Sequence, residues 1–395
     1  MNKESSKGKK LVVCFSTAGL TAEIWTNKQH LMSRISGKEN YDVLYIDQGM
    51  STRDIKKAIK EFNFMYFLKP YRNYEKGLKN LSPYFLPLIK GGLLKRLSWR
   101  LLKWIVDVKI RRNHYEQVIF WIYQPQAWYF IKNLNLNNSV ILYDCVDDFK
   151  SQPFYSENKA RREELIEIES KLVSGSDIVI TTSQRLFKDK SKWNKNTYYV
   201  HNVGDFEHFN SPEISLPSDF RYLEHEKTTV VYAGVIDNYK IDLKLIDDVT
   251  SRLDYHFLFI GPVRLDSNNR YFKSLSSKSN VSFYGYLAYE KLPSVLHACD
   301  IIWLPYQKNE HTEYVFPLKL FEAMATGKYL AARELNSYES YASLFQTFDS
   351  ADSAVEKLKG WKNNELTNKR IDLARKNSWE SRLEKILDIL NEFKK

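Results

Sequence analysis

The stretch Phe316-Pro-Leu-Lys-Leu-Phe-Glu-Ala-Met-Ala-Thr-Gly327 carries the clearest signal in this chain of 395 residues. Its pattern predicts a helix over residues 318–326 that stops before Gly327, because glycine is the residue type expected just past a helix C-terminus. Pro317 suits the first turn, where its missing N–H would have had no partner. Unpaired N–H groups at such a helix start attract phosphate, and Lys319 would add a cation beside them.

Glu322 follows Lys319 by three residues, so both side chains would lie on one face of the helix. A carboxylate at this place can accept hydrogen bonds from both hydroxyls of a ribose, as acidic residues do in other nucleotide sites. The spacing alone leaves a plain alternative open, which is an amphipathic surface helix with a Lys–Glu pair. A nucleotide site on this helix is the first functional hypothesis.

Short apolar runs alternate with helical segments on both sides of this stretch. In the second half, the runs that predict strands are 229–234, 256–260, 281–284 and 300–305, and the helices between them are 243–251 and 289–298. In the first half, the predicted strands are 11–15, 41–46, 64–68, 117–123, 139–143 and 177–181, with a helix over 22–35. Short apolar runs that alternate with helices are typical of a parallel, doubly wound sheet. The sequence therefore predicts an α/β chain with two Rossmann-like halves.

The length also favours two domains, because 395 residues exceed what one hydrophobic core usually serves. The segment 209–227 is rich in Ser, Pro and charge, and we interpret it as a linker. The predicted parts are an N-terminal Rossmann-like domain over 1–205, a C-terminal one over 206–375, and a final helix within 376–395. Apolar residues recur at helical spacing in that last helix, so it must bury one face, and it could pack back on the first domain.

The formal net charge of +11 is unevenly divided along the chain. Residues 1–200 hold 34 Lys and Arg against 20 Asp and Glu, whereas residues 201–395 hold 25 against 28. A basic half joined to a near-neutral half indicates that the first half meets an anionic partner. Charge alone leaves nucleic acid, anionic lipid and phosphorylated acceptors open.

The cysteines and the N-terminal segment argue against several classes of protein. Cys14, Cys145 and Cys299 each lie in an apolar run, which predicts buried, reduced thiols in a reducing compartment. The spacing of Cys and His predicts no metal site. Segment 1–10 is polar and basic and lacks the apolar core of a signal peptide, and no apolar run is long enough to span a bilayer. We therefore expect a cytoplasmic protein.

Several segments, taken in order, resemble those of bacterial GT-B glycosyltransferases that make capsular, teichuronic-acid and exopolysaccharide chains. Residues 316–327 resemble the donor-site motif of these enzymes, P-x-K-L-(Y/F)-E-(Y/A)-(L/M)-A-x-G. The other matching segments are Tyr143–Phe149, Ser176–Ser183, His201–Phe209 (with Gly and Val exchanged), Tyr232–Gly234, Phe259–Pro262, Phe283–Tyr286 and Leu292–Pro305. The resemblance covers about residues 140–330, and the relatives with this motif include xanthan-type glucuronosyltransferases.

The resemblance implies a GT-B fold, in which two Rossmann-like domains have a cleft between them, and a donor nucleotide sugar bound by the second domain. The donor would be a UDP- or GDP-sugar, with no tightly bound cofactor and no metal. Gly234 ends a predicted strand, and its missing side chain would let the backbone approach a diphosphate closely. The expected donor-site residues are Lys319, Glu322, Pro317, Leu318, Gly234, Lys240, Gly261, Tyr286 and Leu287. The expected loop of the first domain that faces the bound sugar contains Thr17, Gly19 and Thr21, and the expected hinge contains Asn202 and Asp205.

Three carboxylates follow the predicted strand 139–143 and are the candidates for catalysis. An inverting transferase needs a general base for the acceptor hydroxyl, and ligands of open α/β sheets sit outside the strand C-termini. The candidates are Asp144, Asp147 and Asp148, of which we prefer Asp147; the other two could instead fix the loop or cap the next helix. Like-charge repulsion within such a cluster raises a pKa and favours a base.

One position departs from the pattern of retaining relatives. Retaining GT-B enzymes commonly carry two glutamates eight positions apart, and here Glu322 fills the second while position 314 is Tyr. Glu313 is one residue away from the missing partner. The motif therefore predicts where the donor binds without deciding between retention and inversion.

The stretch 84–115 is basic and aromatic. Residues 90–112 contain eight cations and one acid, interleaved with Leu, Trp, Ile and Val. A basic helix with such an apolar side fits an interfacial helix on an anionic membrane, and a core helix of the first domain with a solvated basic face fits equally well. No motif typical of nucleic-acid-binding domains is present, so nucleic acid is not an expected partner.

These patterns and the resemblance predict a metal-independent glycosyltransferase of bacterial surface-polysaccharide synthesis. It would move a sugar from a nucleotide-diphosphate donor to a glycan acceptor that we expect to be lipid-linked. The expected partners are a nucleotide sugar, a saccharide or lipid-diphosphate-linked acceptor, and an anionic membrane surface for peripheral association. Two alternatives remain: a sugar-nucleotide epimerase of the same architecture, which would act without an acceptor, and a non-catalytic binding protein at the membrane surface.

Overall fold

The protein, seen in a computed structural model, divides into two compact units. The described residues are 8–22, 25–47, 71–75, 77–81, 100, 103–108, 110, 114–132, 138–211, 215–224, 227–309, 312, 316 and 318–393. The first unit comprises residues 1–200 together with 383–395, and the second comprises residues 201–382. Within the described ranges, no helix is both long enough and apolar enough to cross a membrane.

The first unit is built on a mostly parallel sheet of eight strands. They are β1 (Lys10–Phe15), β2 (Tyr41–Ile46), β3 (Tyr71–Glu75), β4 (Leu78–Leu81), β5 (Gln117–Ile122), β6 (Ser139–Cys145), β7 (Ile178–Thr181) and β8 (Thr197–Tyr199). Their order is β3-β4-β2-β1-β5-β6-β7-β8, and only the β3–β4 pair is antiparallel. The central strands are nearly continuous apolar runs, because both faces of a parallel sheet are covered.

Two helices of the first unit begin after polar residues whose side chains accept from free N–H groups of the first turn. The helices of this unit are α1 (Asn27–Ser36), α2 (Trp128–Ile131), α3 (Pro153–Ser156), α4 (Lys159–Gly175) and α5 (Gln184–Lys190). The side chain of Asn158 accepts from Arg161 N before α4, and that of Ser183 accepts from Leu186 N before α5. Such N-caps typically contribute about 1 kcal/mol each. They fix the residue at which each of these two helices begins.

The second unit contains a six-stranded, fully parallel sheet. Its strands are β9 (Thr229–Ala233), β10 (His256–Ile260), β11 (Val281–Gly285), β12 (Ile301–Leu304), β13 (Tyr329–Arg333) and β14 (Gln346–Phe348). They are ordered β11-β10-β9-β12-β13-β14. Counted within this sheet, that is the order 3-2-1-4-5-6 of dinucleotide-binding sheets. The order reverses between β9 and β12, which is where ligands of such sheets bind.

The helices of the second unit include the one predicted from the opening stretch. They are α6 (Phe206–Phe209), α7 (Leu243–Arg252), α8 (Arg270–Ser277), α9 (Leu292–Ala298), α10 (Lys319–Ala325), α11 (Ala351–Lys359), α12 (Thr367–Lys376) and α13 (Trp379–Glu392). Helix α10 is followed by Gly327 at φ +70°, as the sequence predicts. Helix α13 begins in the second unit, and its residues from Leu383 belong to the first, where Lys10 Nζ donates to Asn391 Oδ1 at 3.3 Å.

The segment 209–227, interpreted above as a linker, lies inside the second unit. Phe209, Phe220 and Leu223 are buried in its core. These three apolar side chains lie within a Ser- and Pro-rich segment and pack into the core of the unit. Strands β13 and β14 had not been predicted, and the predicted strand at 64–68 lies outside the described residues. The predicted domain limits stay a prediction.

A buried ion pair supports the carboxyl end of β6. Lys190 Nζ in α5 lies 2.8 Å from Glu169 Oε2 in α4, and the two side chains are only 10% and 6% exposed. Tyr143 Oη donates to Glu169 Oε1 at 2.7 Å. Charges taken out of water are tolerated only when they are paired and hydrogen-bonded. The pair therefore joins α4, α5 and β6.

We predict that Lys190→Met lowers the free energy of unfolding by about 3–5 kcal/mol, because it leaves the Glu169 carboxylate buried without a partner. The matched control is Lys171→Met, which removes the exposed partner of Glu167 on the same helix α4. Exposed pairs contribute little, so this control should leave stability nearly unchanged. Chemical denaturation of both variants checks the prediction, and equal effects would contradict it.

Candidate functional site

Glycines at the carboxyl ends of β9, β10 and β11 bring backbone directly against backbone. Gly234 N donates to Ile260 O at 2.7 Å, and Gly261 N donates to Gly285 O at 2.6 Å. A Cβ on residue 261 would lie 2.1 Å from Gly234 O, and Gly261 has φ +135°, which L side chains rarely adopt. Only glycine therefore fits at position 261.

The side chain of Lys319 extends across Gly234. A Cβ on residue 234 would lie 2.6 Å from Lys319 Cε and 3.2 Å from Lys319 Nζ. The bare backbone of Gly234 thus makes room for the lysine at the end of β9, where the strand order reverses. The ammonium therefore stands where sheets of this kind hold the phosphates of their ligands.

Lys319 and Glu322 share a poorly solvated environment. Burial lowers the pKa of the Lys319 ammonium; Glu322 raises that pKa, and Lys240 lowers it further. Burial raises the pKa of the Glu322 carboxyl, Lys319 opposes this rise, and Asp205 adds to it. Each group has lost part of its hydration, so a ligand that offers both of them polar partners would restore what burial removed.

The start of α10 packs against the segment that enters the second unit. A Cβ on residue 204 would lie 2.8 Å from Glu322 N and 3.0 Å from Phe321 C. Because Gly204 has no side chain, its backbone can pack directly against the backbone of α10. Asn202 Nδ2 donates to Phe316 O at 2.7 Å. The exchange of Gly and Val in this segment, relative to the family pattern, places the glycine at this contact. Asn202 thereby holds Phe316, the first residue of the segment 316–327, in place.

An aromatic cluster of His201, Phe316, Phe321 and Tyr341 also holds this motif. The His201 ring stacks on Phe316 and on Phe321, with centroids 5.1 and 5.6 Å apart. Tyr341 meets His201 at its edge, and Tyr341 Oη lies 3.1 Å from His201 Nε2. Stacked and edge-on rings pack rigidly. Sequence reasoning missed this cluster, because its members are far apart in the chain and each resembles an ordinary core aromatic.

Lys240 belongs to a turn with a fixed backbone. Its N–H donates to Asp237 Oδ1 at 2.7 Å, and its carbonyl accepts from Gln307 N at 2.8 Å. The Lys240 charge is close enough to lower the pKa of Lys319. The structure thus brings Gly234, Lys240, Gly261, Lys319 and Glu322 together at one edge of the sheet.

The other expected donor-site residues are less tightly placed. Tyr286 follows Gly285 at the end of β11 and is 49% exposed, while Leu287 is half-buried against the core. Leu318 is half-buried and directly precedes α10. Pro317 lies outside the described residues. The same is true of positions 313 and 314, on which the question of retention or inversion depends.

In the first unit, the three candidate aspartates differ in their surroundings. Asp144 is fully buried in β6, and its Oδ2 accepts from Trp121 Nε1 at 3.2 Å. Asp148 is buried, and its Oδ1 lies 3.8 Å from Lys150 Nζ. Asp147 is the most open of the three, being half-buried. The geometry therefore assigns structural contacts to Asp144 and Asp148 and leaves Asp147 best able to reach a ligand.

Contacts with Thr182 and Cys145 hold the backbone around Asp147. Thr182 Oγ1 donates to Val146 O at 3.0 Å, and Cys145 Sγ lies 3.8 Å from Asp147 O. Cys145 Sγ is also 3.8 Å from Glu169 Oε1, the carboxylate of the buried ion pair. Burial raises the pKa of the Cys145 thiol, so this sulfur stays protonated. The loop that presents Asp147 is thus tied to the core.

The loop that follows β1 is also pinned from several sides. Leu20 N donates to Asp47 Oδ1 at 2.8 Å, and Gln29 Nε2 donates to Gly19 O at 2.9 Å. Thr17 is half-buried and Thr21 is exposed. The two threonines and Gly19 therefore lie in one ordered turn at the carboxyl end of β1.

Three further expectations concern the basic stretch, the cysteines and metals. Of the stretch 84–115, the structure describes residues 100, 103–108, 110, 114 and 115, among which Trp104 is 63% exposed and Val106 is buried. The three cysteines are free and buried, as predicted. Across the described part of the chain, no group of three His, Cys, Asp or Glu residues is arranged to hold a metal ion.

Comparison with known proteins finds similarity to glycosyltransferases. Residues 227–348, which span β9 to β14, match the model of a family described as Glycosyl transferases group 1. The chain is 26% identical over 223 residues to a provisionally named teichuronic acid biosynthesis glycosyltransferase, TuaH, of Bacillus subtilis (strain 168). That match covers 53% of this chain and 55% of TuaH, so the chain spans about half the length of this relative.

Solved structures resemble the whole chain. Sucrose-phosphate synthase from Thermosynechococcus elongatus has a TM-score of 0.70 at 13% identity, covering 97% of this chain and 98% of that one. Anabaena HepE in complex with UDP-glucose has a TM-score of 0.64 at 13% identity, covering 97% and 99%. At such identities the likeness concerns the fold. The prediction of a GT-B-type α/β fold with two Rossmann-like units is therefore confirmed.

Proposed function

We propose that this protein is a glycosyltransferase that takes a sugar from a nucleotide-diphosphate donor, UDP- or GDP-linked, and passes it to a glycan acceptor. The observation that carries the proposal is the placement of Lys319 across Gly234, with Glu322 one turn further along α10. This places a cation and a carboxylate at the reversal point of the second sheet. The match of residues 227–348 to group 1 glycosyltransferases supports the same reading.

The donor site would act on the leaving group. Lys319 and Lys240 would neutralise the charge that develops on the diphosphate as the bond to the sugar breaks, an effect that is strong in a poorly solvated site. Glu322 would accept the ribose hydroxyls. Tyr286 and Leu287 would lie beside the base, and Gly234 and Gly261 would let the backbone approach the phosphates. UDP is the favoured carrier, because the similar HepE structure contains UDP-glucose.

The first unit would prepare the acceptor. Asp147 would take the proton of the acceptor hydroxyl while that oxygen attacks the anomeric carbon. The bond from this carbon to the diphosphate oxygen would break, and its electron pair would leave on the diphosphate. A single displacement of this kind inverts the anomeric configuration. Thr17, Gly19 and Thr21 would contact the sugar from the turn after β1.

The acceptor is proposed to be a saccharide on a lipid diphosphate in surface-polysaccharide synthesis. The similarity to TuaH supports this biological setting. The excess of cations in residues 1–200 and the exposed Trp104 would favour association with an anionic membrane surface from the cytoplasm. If the protein instead converted one nucleotide sugar into another without any acceptor, the alternative function of a sugar-nucleotide epimerase would be favoured.

A screen for nucleotide-sugar binding tests the donor site. We expect UDP- or GDP-sugars to raise the thermal midpoint of the wild-type protein. Lys319→Ala and Glu322→Ala should each weaken the best ligand roughly 10- to 150-fold, because a charged hydrogen bond contributes about 1.5–3 kcal/mol. Calorimetry measures the affinities. Lys244→Ala and Glu356→Ala, at exposed helix positions of the same unit, are the controls, and unchanged affinity in both site variants would refute the assignment.

A second test separates chemistry from binding. We expect Asp147→Asn to lower turnover by roughly 10²- to 10⁴-fold, the usual contribution of a general base, while affinity for the donor stays unchanged. Transfer of labelled sugar to a lipid extract measures turnover. The exposed Glu163→Gln on α4 serves as the control. Wild-type turnover in Asp147→Asn would remove this residue from the mechanism and leave the donor site standing.

A further inference from the structure

A polar cavity lies outside the carboxyl ends of β12, β13 and β14 in the second unit. Its volume is about 710 Å³, which is within the usual range for small-molecule sites. The walls come from the segments that follow β12 and β13 and from Thr347 in β14. Neither Lys319 nor Glu322 lines it. The cavity is therefore a separate space at the same edge of the sheet as the donor site.

The polar groups of one wall form hydrogen bonds with one another. Thr312 N donates to Asn309 Oδ1 at 3.0 Å, and Asn309 N donates to Thr312 Oγ1 at 3.1 Å. Asn309 Nδ2 donates to Tyr239 O at 2.8 Å. Tyr239 belongs to the same turn as Lys240. This wall is thereby tied to the turn that supplies a charge to the donor site.

Three other polar side chains on the walls are free to form hydrogen bonds with a ligand. In the described ranges of the chain, the exposed side chains of Asn336 and Glu339 and the half-buried side chain of Thr347 make no hydrogen bond to protein. An amide, a carboxylate and a hydroxyl together offer both donors and acceptors. Leu335 and Ala342 add an apolar surface beside them. Sugar rings need this combination, because their hydroxyls both donate and accept while their C–H faces are apolar.

The charges on the walls narrow the class of sugar. Lys308 Nζ lies 3.7 Å from Glu334 Oε2, so these two charges largely offset each other. Glu339 adds a negative charge that no cation of the lining matches. A carboxylate or phosphate in the cavity would meet like charge. An uncharged ring would not.

We propose that this cavity binds an uncharged hexose unit of the substrate, with Asn336, Glu339 and Thr347 bonding its hydroxyls. The assignment rests on the proposed function, which identifies the substrate as a sugar compound. What the cavity adds is the class of sugar, an uncharged hexose, and the residues that would select it. The hexose can be the one carried by the donor or a saccharide of the acceptor. Both present the same chemistry to the cavity.

The test compares ligands that differ only in the sugar. Binding of UDP, UDP-glucose and UDP-glucuronic acid is measured by calorimetry, and binding of the methyl glycosides of glucose, galactose and N-acetylglucosamine by ligand-observed NMR. The variants are Asn336→Leu, Glu339→Gln and Thr347→Val, with the exposed Glu356→Gln as control. Thermal midpoints establish that each variant is folded.

We expect UDP-glucose to bind at least about fivefold more tightly than UDP, and UDP-glucuronic acid to lack this gain. The three variants should reduce the gain while the affinity for UDP stays unchanged, since in this proposal the cavity holds only the hexose. This result assigns the cavity to the sugar of the donor. If the gain is absent but a methyl glycoside binds and is lost in the same variants, the cavity belongs to the acceptor saccharide, and the proposal also stands.

Other outcomes overturn the proposal. If the variants alter neither the gain from the sugar nor the binding of any methyl glycoside, or if the wild-type protein binds none of these sugars, the cavity is not a saccharide site. A gain for UDP-glucuronic acid that equals the gain for UDP-glucose refutes the selection by charge. Failure of the proposed function is recognised separately: neither UDP nor GDP then binds to the wild-type protein, and the methyl glycosides still decide the role of the cavity.

Discussion

The contact between the backbone of Gly234 and the side chain of Lys319 is the constraint on which the donor-like site depends. It requires that strand β9 end without a side chain, and that β10 end in Gly261, whose own missing Cβ leaves room for the Gly234 carbonyl. Any larger residue at either place would push the strand ends apart or displace the lysine. The absence of side chains at Gly234 and Gly261 thus determines the position of the Lys319 ammonium.

The position of α10 is secured from its other side. Gly204 lets the segment after β8 touch the backbone of Glu322, and Asn202 holds the Phe316 carbonyl. The aromatic cluster of His201, Phe316, Phe321 and Tyr341 then packs around these contacts. Lys319 and Glu322 are therefore presented by a helix with little freedom to move within its unit. A site whose charged groups are fixed before the ligand arrives needs less reorganisation on binding.

Much of this architecture could be predicted from local patterns. Strands such as Tyr41–Ile46 and His256–Ile260 are apolar runs followed by turn residues, and the structure has them at the predicted bounds. Contacts between distant segments could not be predicted in this way. Nothing near Gly204 in the sequence indicates that it touches Glu322, and the charged segment 209–227 conceals the buried Phe220. The three aspartates after β6 look alike in sequence, and contacts with Trp121 and Lys150 distinguish Asp144 and Asp148 from the more open Asp147.

The last helix has a consequence for the order in which the chain can fold. Residues 383–395 belong to the first unit, although the whole of the second unit, residues 201–382, is synthesised before them. The second unit is continuous in sequence and can fold as soon as it has left the ribosome, since domains fold largely as units during synthesis. The first unit, begun earlier, gains the contact between Lys10 and Asn391 only after residue 391 has been made. The half of the chain that is made first is thus the half that is completed last.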